Sequence, residues 1–290
     1  MTNKAIDLHT HTRCSDGSLT PTEMVHLAAK NGLSAIAITD HDTISGIEEA
    51  KQVGEELSVE IVPGIEISAQ SDKGVLHMLG YYMDIENEEL KSGLQEYVNA
   101  RNIRNPKILQ ILTQLGYPLD MEEVISLSNG EVINRPHIAQ AMVNRGYVNC
   151  TQEAFDRFLK NDGLAHVPKE IYSVSKAVDL IHRSGGLAVL AHPSLLYVNG
   201  LQKTCDEIRL LHHQSGFDGV EAYHGDCIRE HGQFYSDVAD ELGLFVTGGS
   251  DYHGDSKHQR LGQTRCMNKI PYKFLQEMKQ QLASINSPVS

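Results

Sequence analysis

Hydrophobic positions along the chain switch repeatedly between a strand-like and a helix-like spacing, and this switching sets out the expected elements. Ile6-Asp7-Leu8 reads as a short buried strand, Ala35 to Thr39 as a second, Glu60 to Ile67 as a third and Val75 to Tyr82 as a fourth. Between them the apolar residues recur at helical intervals. Thr20-Pro21-Thr22-Glu23 has the form of a capping box with proline at the first helical position, and Asn31-Gly32 closes that helix. A second helix is expected over about Ser45 to Glu56.

The pattern then changes. From about Glu88 to Asn161 only helical periodicity appears, through Arg101 and Arg104 to Gly116, then over Met121 to Leu127, Pro136 to Gly146 and Thr151 to Lys160. Asn161-Asp162-Gly163 and Pro168 mark the return to alternation. A helix over Ser173 to Ser184 leads to a strand over Leu187 to Ala191. A helix near Thr204 to His213, a strand over Gly219 to Tyr223, a helix over Arg229 to Leu242 and a strand over Leu244 to Thr247 follow. About seven strands separated mostly by helices predict an α/β fold, a parallel barrel that is closed or nearly so. Its two parts would be residues 1–98 and 168–290, with 99–167 a helical insertion capping the substrate site.

In such barrels the chemistry gathers where strands end. His9 and His11 follow the first strand with Asp16 in the Ser/Asp/Gly turn beyond, and alternation along an extended chain points both imidazoles the same way. His41 ends the second strand, Glu66 the third, His192 the fifth, and Asp251 with His253 the seventh; His77 falls inside the fourth. His26, His182, His212, His213, His231 and His258 fall on helices or surface loops and read as solvated or structural. Neutral imidazole and ionised carboxylate suit manganese, iron or zinc, and nine such groups exceed what one ion can use. Two or three ions are therefore implied, with Glu66 the natural bridge.

Composition narrows the alternatives. The 290 residues carry a formal charge of −13, which disfavours a general binder of long duplex nucleic acid and means that a phosphate ligand needs a local cationic site. Five scattered cysteines without a C-x-x-C suggest neither a disulfide framework nor a cysteine zinc site, as suits a reducing compartment. Met1 to Lys4 lead directly into the first strand, with no signal peptide and no membrane-spanning run, so a cytoplasmic protein is expected.

His9-Thr10-His11 with Asp16, Thr39-Asp40-His41-Asp42, Pro63-Gly64-Ile65-Glu66, Ala191-His192-Pro193 and Gly249-Ser250-Asp251-Tyr252-His253 together resemble the motifs of the PHP (polymerase and histidinol phosphatase) family, in family order. The resemblance implies a distorted seven-stranded barrel, (β/α)7, and a trinuclear centre, manganese being favoured over iron or zinc. By the same resemblance His9, His11, Glu66 and Asp251 would hold one ion, Glu66, His77 and His192 a second, and Asp16, His41 and His253 a third. The insertion and Thr39 to Thr43 are most similar to the subgroup of 3′,5′-nucleotide bisphosphate phosphatases and the 5′→3′ exoribonuclease that trims short RNA.

The expected chemistry is hydrolysis of a phosphate ester by in-line attack of a metal-bridging hydroxide, without a phosphoenzyme. Neither G-x-S-x-G nor G-x-x-x-x-G-K-[ST] occurs to suggest a serine nucleophile or a triphosphate cradle. Asp40 or His192 could carry the proton to the leaving oxygen. Arg101 and Arg104 share a helix face, and Asn134-Arg135-Pro136-His137 reads as a helix start that favours an anion. Arg101, Arg104, Arg135 and His137 would then hold a second phosphate, of a nucleotide bisphosphate or a short 5′-phosphorylated RNA. Tyr97, Tyr117 and Tyr147 are candidates to stack a base, with packing at helix ends the competing role. A histidinol-phosphate phosphatase would share the metals without needing an arginine-bearing insertion. An amidohydrolase would want a bridging lysine where strand four offers His77, and a silent polymerase-type module would not need an intact ligand set.

Overall fold

The computed structural model describes residues 4–128, 133–168, 171–196, 198–254 and 259–285; Met1–Asn3 and His258, both singled out in the sequence, lie outside them. All seven expected strands form: β1 (Ala5–Asp7), β2 (Leu33–Ile38), β3 (Glu60–Ser71), β4 (Gly74–Tyr81), β6 (Leu187–Leu190), β7 (Gly219–His224) and β8 (Phe245–Gly249). Two short strands join them, β5 (Tyr172–Ser173) on β3 and β9 (Ile270–Pro271) on β1, so the described sheet has nine strands instead of seven. Helices α1 (Pro21–Lys30), α2 (Ile47–Leu57), α7 (Val174–Arg183), α8 (Leu201–Ser215) and α9 (Arg229–Leu242) separate the strands, and α10 (Lys273–Ile285), which the sequence reading did not identify, follows the last. The capping box forms as expected: Thr20 Oγ1 accepts from the Glu23 amide at 3.1 Å and the Glu23 carboxylate from the Thr20 amide at 2.8 Å.

The sheet order is β8-β7-β6-β4-β3-β2-β1-β9. It curls until its ends meet. The Leu8 amide donates to Gly248 at 3.3 Å, the His11 amide donates to Tyr252 at 2.9 Å, and Thr10 bridges to Tyr252. One expectation is corrected. The barrel is not all parallel, because β4 runs antiparallel to both β3 and β6. The cause is local: β3 extends to Ser71 and only Asp72 and Lys73 separate it from β4, a link long enough for a hairpin but far too short for a parallel crossover. Reversal places the start of β4 at the same mouth as the carboxyl ends of the parallel strands.

The inserted segment has a core of its own. The first half of α3 (Glu88–Gln114) buries Leu90, Leu94 and Tyr97 against the barrel, while its second half buries Ile108, Leu109 and Leu112 with Val124, Ile138, Met142, Ala154 and Phe158. These partners come from α4 (Met121–Leu127), α5 (Arg135–Asn144), α6 (Thr151–Ala154) and the π-helical turn Phe155–Leu159, where a plain α-helix was expected. One 27-residue helix thus belongs to both cores. Pro106 sits inside it and has no N–H to give the Asn102 carbonyl. No described helix is long and apolar enough to cross a membrane.

Candidate metal centre

The loops after β1, β2, β6 and β8 converge with the middle of β3 and the start of β4 on one pole of the barrel. His9 and His11 lie on the same side of the extended chain as expected, their Nε2 atoms 3.1 Å apart. Glu66 is almost wholly enclosed by imidazoles. Its Oε1 lies 2.8 Å from His192 Nε2, 3.0 Å from His77 Nδ1 and 3.4 Å from His9 Nε2; its Oε2 lies 2.9 Å from His41 Nδ1 and 3.2 Å from His11 Nε2. Asp251 Oδ1 is 3.2 Å from His11 Nε2 and 3.4 Å from His9 Nε2. Asp16 Oδ1 is 3.4 Å from His253 Nε2 and 3.7 Å from His11 Nδ1. All nine sequence-predicted ligands therefore lie in one cluster, and the donor atoms of eight fall into three groups: His9, His11 and Asp251; His41, Glu66 and His77; His11, Asp16, His41 and His253. His192 joins them through Glu66.

The backbone is shaped for this convergence. His192 and Asp251 have φ of 29° and 55°, a left-handed conformation that costs non-glycine residues of order 1–3 kcal/mol and recurs at functional sites. His77 reaches the cluster because β4 is reversed: paired with Ser68, it stands at the ligand-bearing end of the barrel. Its mid-strand position is thus no obstacle.

Charge and satisfaction both point to cations. Burial would raise the carboxyls of Asp16, Glu66 and Asp251, yet His253 and His41 around Asp16, His41 and His77 around Glu66, and His253 and His9 around Asp251 hold each well below the usual carboxylate range. Burial depresses His192 and His253 toward the neutral form, whereas for His11 the pull of Asp251 and Glu66 outweighs burial and lifts it to about 10. His11 Nδ1, His41 Nδ1 and Glu66 Oε2 are buried yet make no aligned hydrogen bond. Buried carboxylates that already draw positive charge, beside three buried atoms left without a hydrogen-bond partner, form the mixed imidazole and carboxylate set that divalent cations suit.

Asp40 is differently employed. Its oxygens accept from the Thr12 amide at 2.7 Å, the Thr12 hydroxyl at 2.6 Å and the Ser15 hydroxyl at 2.6 Å. These bonds clamp the loop that carries Asp16. The sequence reading missed Asp7, Glu221 and His224. Asp7 is buried and pins the ligand loops by accepting from the amides of Ser250 at 2.9 Å and Gly262 at 2.7 Å; burial pushes its carboxyl up to about 6. Only an apolar strand with polar interruptions marked these positions, a signal too common to single them out.

Beside the cluster a cavity of about 440 Å³ opens between barrel and insertion, lined by Asp16, His41 and His77 on one wall and Arg101, Arg104 and Arg135 on another. Arg101 is buried and ion-paired with Asp42, while its Nη1 makes no hydrogen bond. Among the described residues Arg104 bonds only the neighbouring Asn105 side chain, at 3.0 Å; burial, then the like charges of Arg135 and Arg101, pull its guanidinium down to about 9. Arg135 gives one N–H to the Leu159 carbonyl at 2.8 Å. His137 does not line the cavity: its Nδ1 accepts the Asn134 amide at 3.0 Å at the start of α5. The tyrosines pack. Tyr97 is buried with its hydroxyl on the Ser68 carbonyl at 2.8 Å, and Tyr117 meets Tyr147 edge-on.

A barrel whose mouth gathers imidazoles and carboxylates at three adjoining positions, next to a cationic cavity, defines a metal-dependent hydrolase of phosphoric esters. The PHP domain model matches residues 7–221, and the chain belongs to that family. It is 34% identical over 252 residues to a 5′-3′ exoribonuclease of Haemophilus influenzae, covering 86% of this chain and 90% of that one. Identity is 32% over 253 residues to a phosphoribosyl 1,2-cyclic phosphate 1,2-diphosphodiesterase of Eggerthella lenta, covering 86% and 94%. A 3′,5′-nucleoside bisphosphate phosphatase of Chromobacterium violaceum is 30% identical over 275 residues, covering 91% and 93%. A solved protein of Bifidobacterium adolescentis, provisionally assigned as a metal-dependent phosphoesterase, superposes with a TM-score of 0.84 at 29% identity, over 96% of both chains.

Proposed function

We propose that the chain removes a phosphate from small nucleotides, with nucleoside 3′,5′-bisphosphates as the leading class and the 5′ ends of short RNA as the second. The observation that carries this reading is the shared cavity, which sets three arginines facing Asp16, His41 and His77. A monophosphate needs only the metal side. A substrate with two phosphates uses both, the second relieving the mutual repulsion of Arg101, Arg104 and Arg135.

The proposed ligands are the nine clustered groups, with three divalent ions and manganese favoured. Bound ions of this kind activate water near neutral pH and neutralise phosphoryl oxygens. The chain's own contribution is placement. Glu66 draws imidazoles from β1, β2, β4 and the loop after β6 onto two oxygens, and Asp40 fixes the turn that presents Asp16. Of the two residues considered for moving a proton to the leaving oxygen, only His192 has its ring in the cluster.

The test offers manganese-loaded protein adenosine 3′,5′-bisphosphate, histidinol phosphate and a 5′-phosphorylated trinucleotide in parallel, and follows phosphate and nucleotide release. Turnover of the bisphosphate or the RNA with little of histidinol phosphate is expected. Preference for histidinol phosphate would overturn the substrate assignment and leave the metal centre standing.

A further inference from the structure

Strand β7 supplies none of the nine clustered ligands, yet it presents two buried polar side chains to them. Ordinary alternation would send Glu221 and His224, three apart, to opposite faces of the sheet. The pairing with β8 explains why both turn inward: Glu221 pairs with Thr247 and Tyr223 with Gly248, so β7 carries one extra residue at a bulge. Tyr223 turns outward and stacks on Phe274 of α10 with ring centroids 5.6 Å apart. His224 turns inward.

We propose that Glu221 and His224 are positioning residues that orient the metal ligands of both ends of the chain without binding an ion themselves; the inference rests on the metal-centre reading above. Glu221 Oε1 lies 2.9 Å from His9 Nδ1, and Oε2 accepts the His192 amide at 2.9 Å. The first contact puts the His9 proton on Nδ1 and leaves the Nε2 lone pair facing His11, Glu66 and Asp251. The second holds His192 in its left-handed conformation. Glu221 is fully buried, so the two bonds are not shared with solvent. His224 Nδ1 accepts the Asp226 amide at 3.3 Å, so its proton sits on Nε2, 3.3 Å from Asp251 Oδ2. A ring nitrogen that donates has no lone pair for an ion; it can only hold Asp251 in place with Oδ1 toward His9 and His11.

The experiment compares wild type with Glu221→Gln, His224→Gln and His224→Leu. It measures bound manganese per chain after dialysis and manganese affinity by calorimetry, and reads the His9 tautomer from histidine nitrogen shifts of the zinc-loaded protein. Glutamine at 221 keeps one acceptor where two are needed, so affinity is expected to fall about 10- to 100-fold and the Nδ1-protonated form of His9 to lose its predominance. His224→Gln keeps a donor for Asp251 and should hold metal nearly as wild type does, whereas His224→Leu should lose affinity at the ion that uses Asp251. Glu221→Gln protein that binds with wild-type affinity and an unchanged His9 signal overturns the proposal. If that variant does not fold, the histidine pair decides, and equal affinities of His224→Gln and His224→Leu overturn it. Wild-type protein that binds no ion would instead remove the metal centre itself.

Discussion

Replacing Arg104 with methionine should make the protein more stable and worse at its task. Arg104 is buried on the wall of the cavity; among the described residues it makes no ion pair, its side chain bonds Asn105 Oδ1 at 3.2 and 3.0 Å, and the pull of Asp42 does not offset burial and its like-charged neighbours. Holding a guanidinium at about 9 corresponds to an unfavourable environment of about 5 kcal/mol at neutral pH, an upper bound. Methionine removes the buried charge and its repulsion with Arg101 and Arg135; it also leaves Asn105 Oδ1 without its donor, which costs about 1–2 kcal/mol. The net expectation is about 1–3 kcal/mol of added stability, in line with apolar replacement of other buried ions, and a Tm higher by roughly 2–10 °C for a chain of this size. Because the folded pKa lies below the unfolded one, the penalty is fully present below about pH 9 and fades above it. The gain of the variant over wild type should therefore shrink at high pH. A charge-assisted bond to phosphate contributes about 1.5–3 kcal/mol, so KM for a nucleoside 3′,5′-bisphosphate should rise by roughly 10- to 150-fold, with turnover of a simple monophosphate little changed. Thermal melts across pH and phosphate-release kinetics on both substrates test the two signs together. A lower Tm with bisphosphate kinetics intact would refute the claim that this arginine is kept for an anion at the expense of stability.

Arg101→Ala has the opposite stability sign: it removes the guanidinium from buried Asp42 and leaves that carboxylate on neutral donors such as Ser68, should cost up to about 3–5 kcal/mol in chemical denaturation, and should be partly restored by Asp42→Asn. Asp40→Asn should loosen the Thr12–Ser15 turn, cost about 1–3 kcal/mol and weaken metal retention. Its pH-rate profile should keep its shape; a displaced limb would return Asp40 to proton transfer. Manganese at about 100 times its dissociation constant should stabilise the native state by about 2.7 kcal/mol, and EDTA should reverse the shift in Tm.

Much of the site was legible because it is written at strand ends. Short apolar runs followed by His9, His11, His41 and His192 mark both the elements and their chemistry, Glu66 stands within β3, and the barrel mouth brings them together. Direction was not legible from such runs. Ending β3 at Ile67 left a long gap before β4 and hid the Asp72-Lys73 turn, so the reversal that admits His77 was lost. Glu221 and His224 share a face only through a bulge, a feature of pairing between strands that no period along one strand can reveal. Asp40 sits in a motif with His41 and is drawn into the site by proximity, but which way its oxygens point is decided by Thr12 and Ser15 on a different loop. Hydrophobic spacing located the insertion, yet it could not show that α3 runs unbroken through both cores across Pro106.

The most direct measurement is an anomalous-difference map from a manganese-grown crystal, collected at the metal edge. Peaks are expected at ligating distance from each of the three donor groups, with Glu66, whose two oxygens also face His9 and His11, touching more than one ion. A well-ordered cluster with no peak beside Glu66, or with manganese bound only elsewhere on the surface, would contradict it.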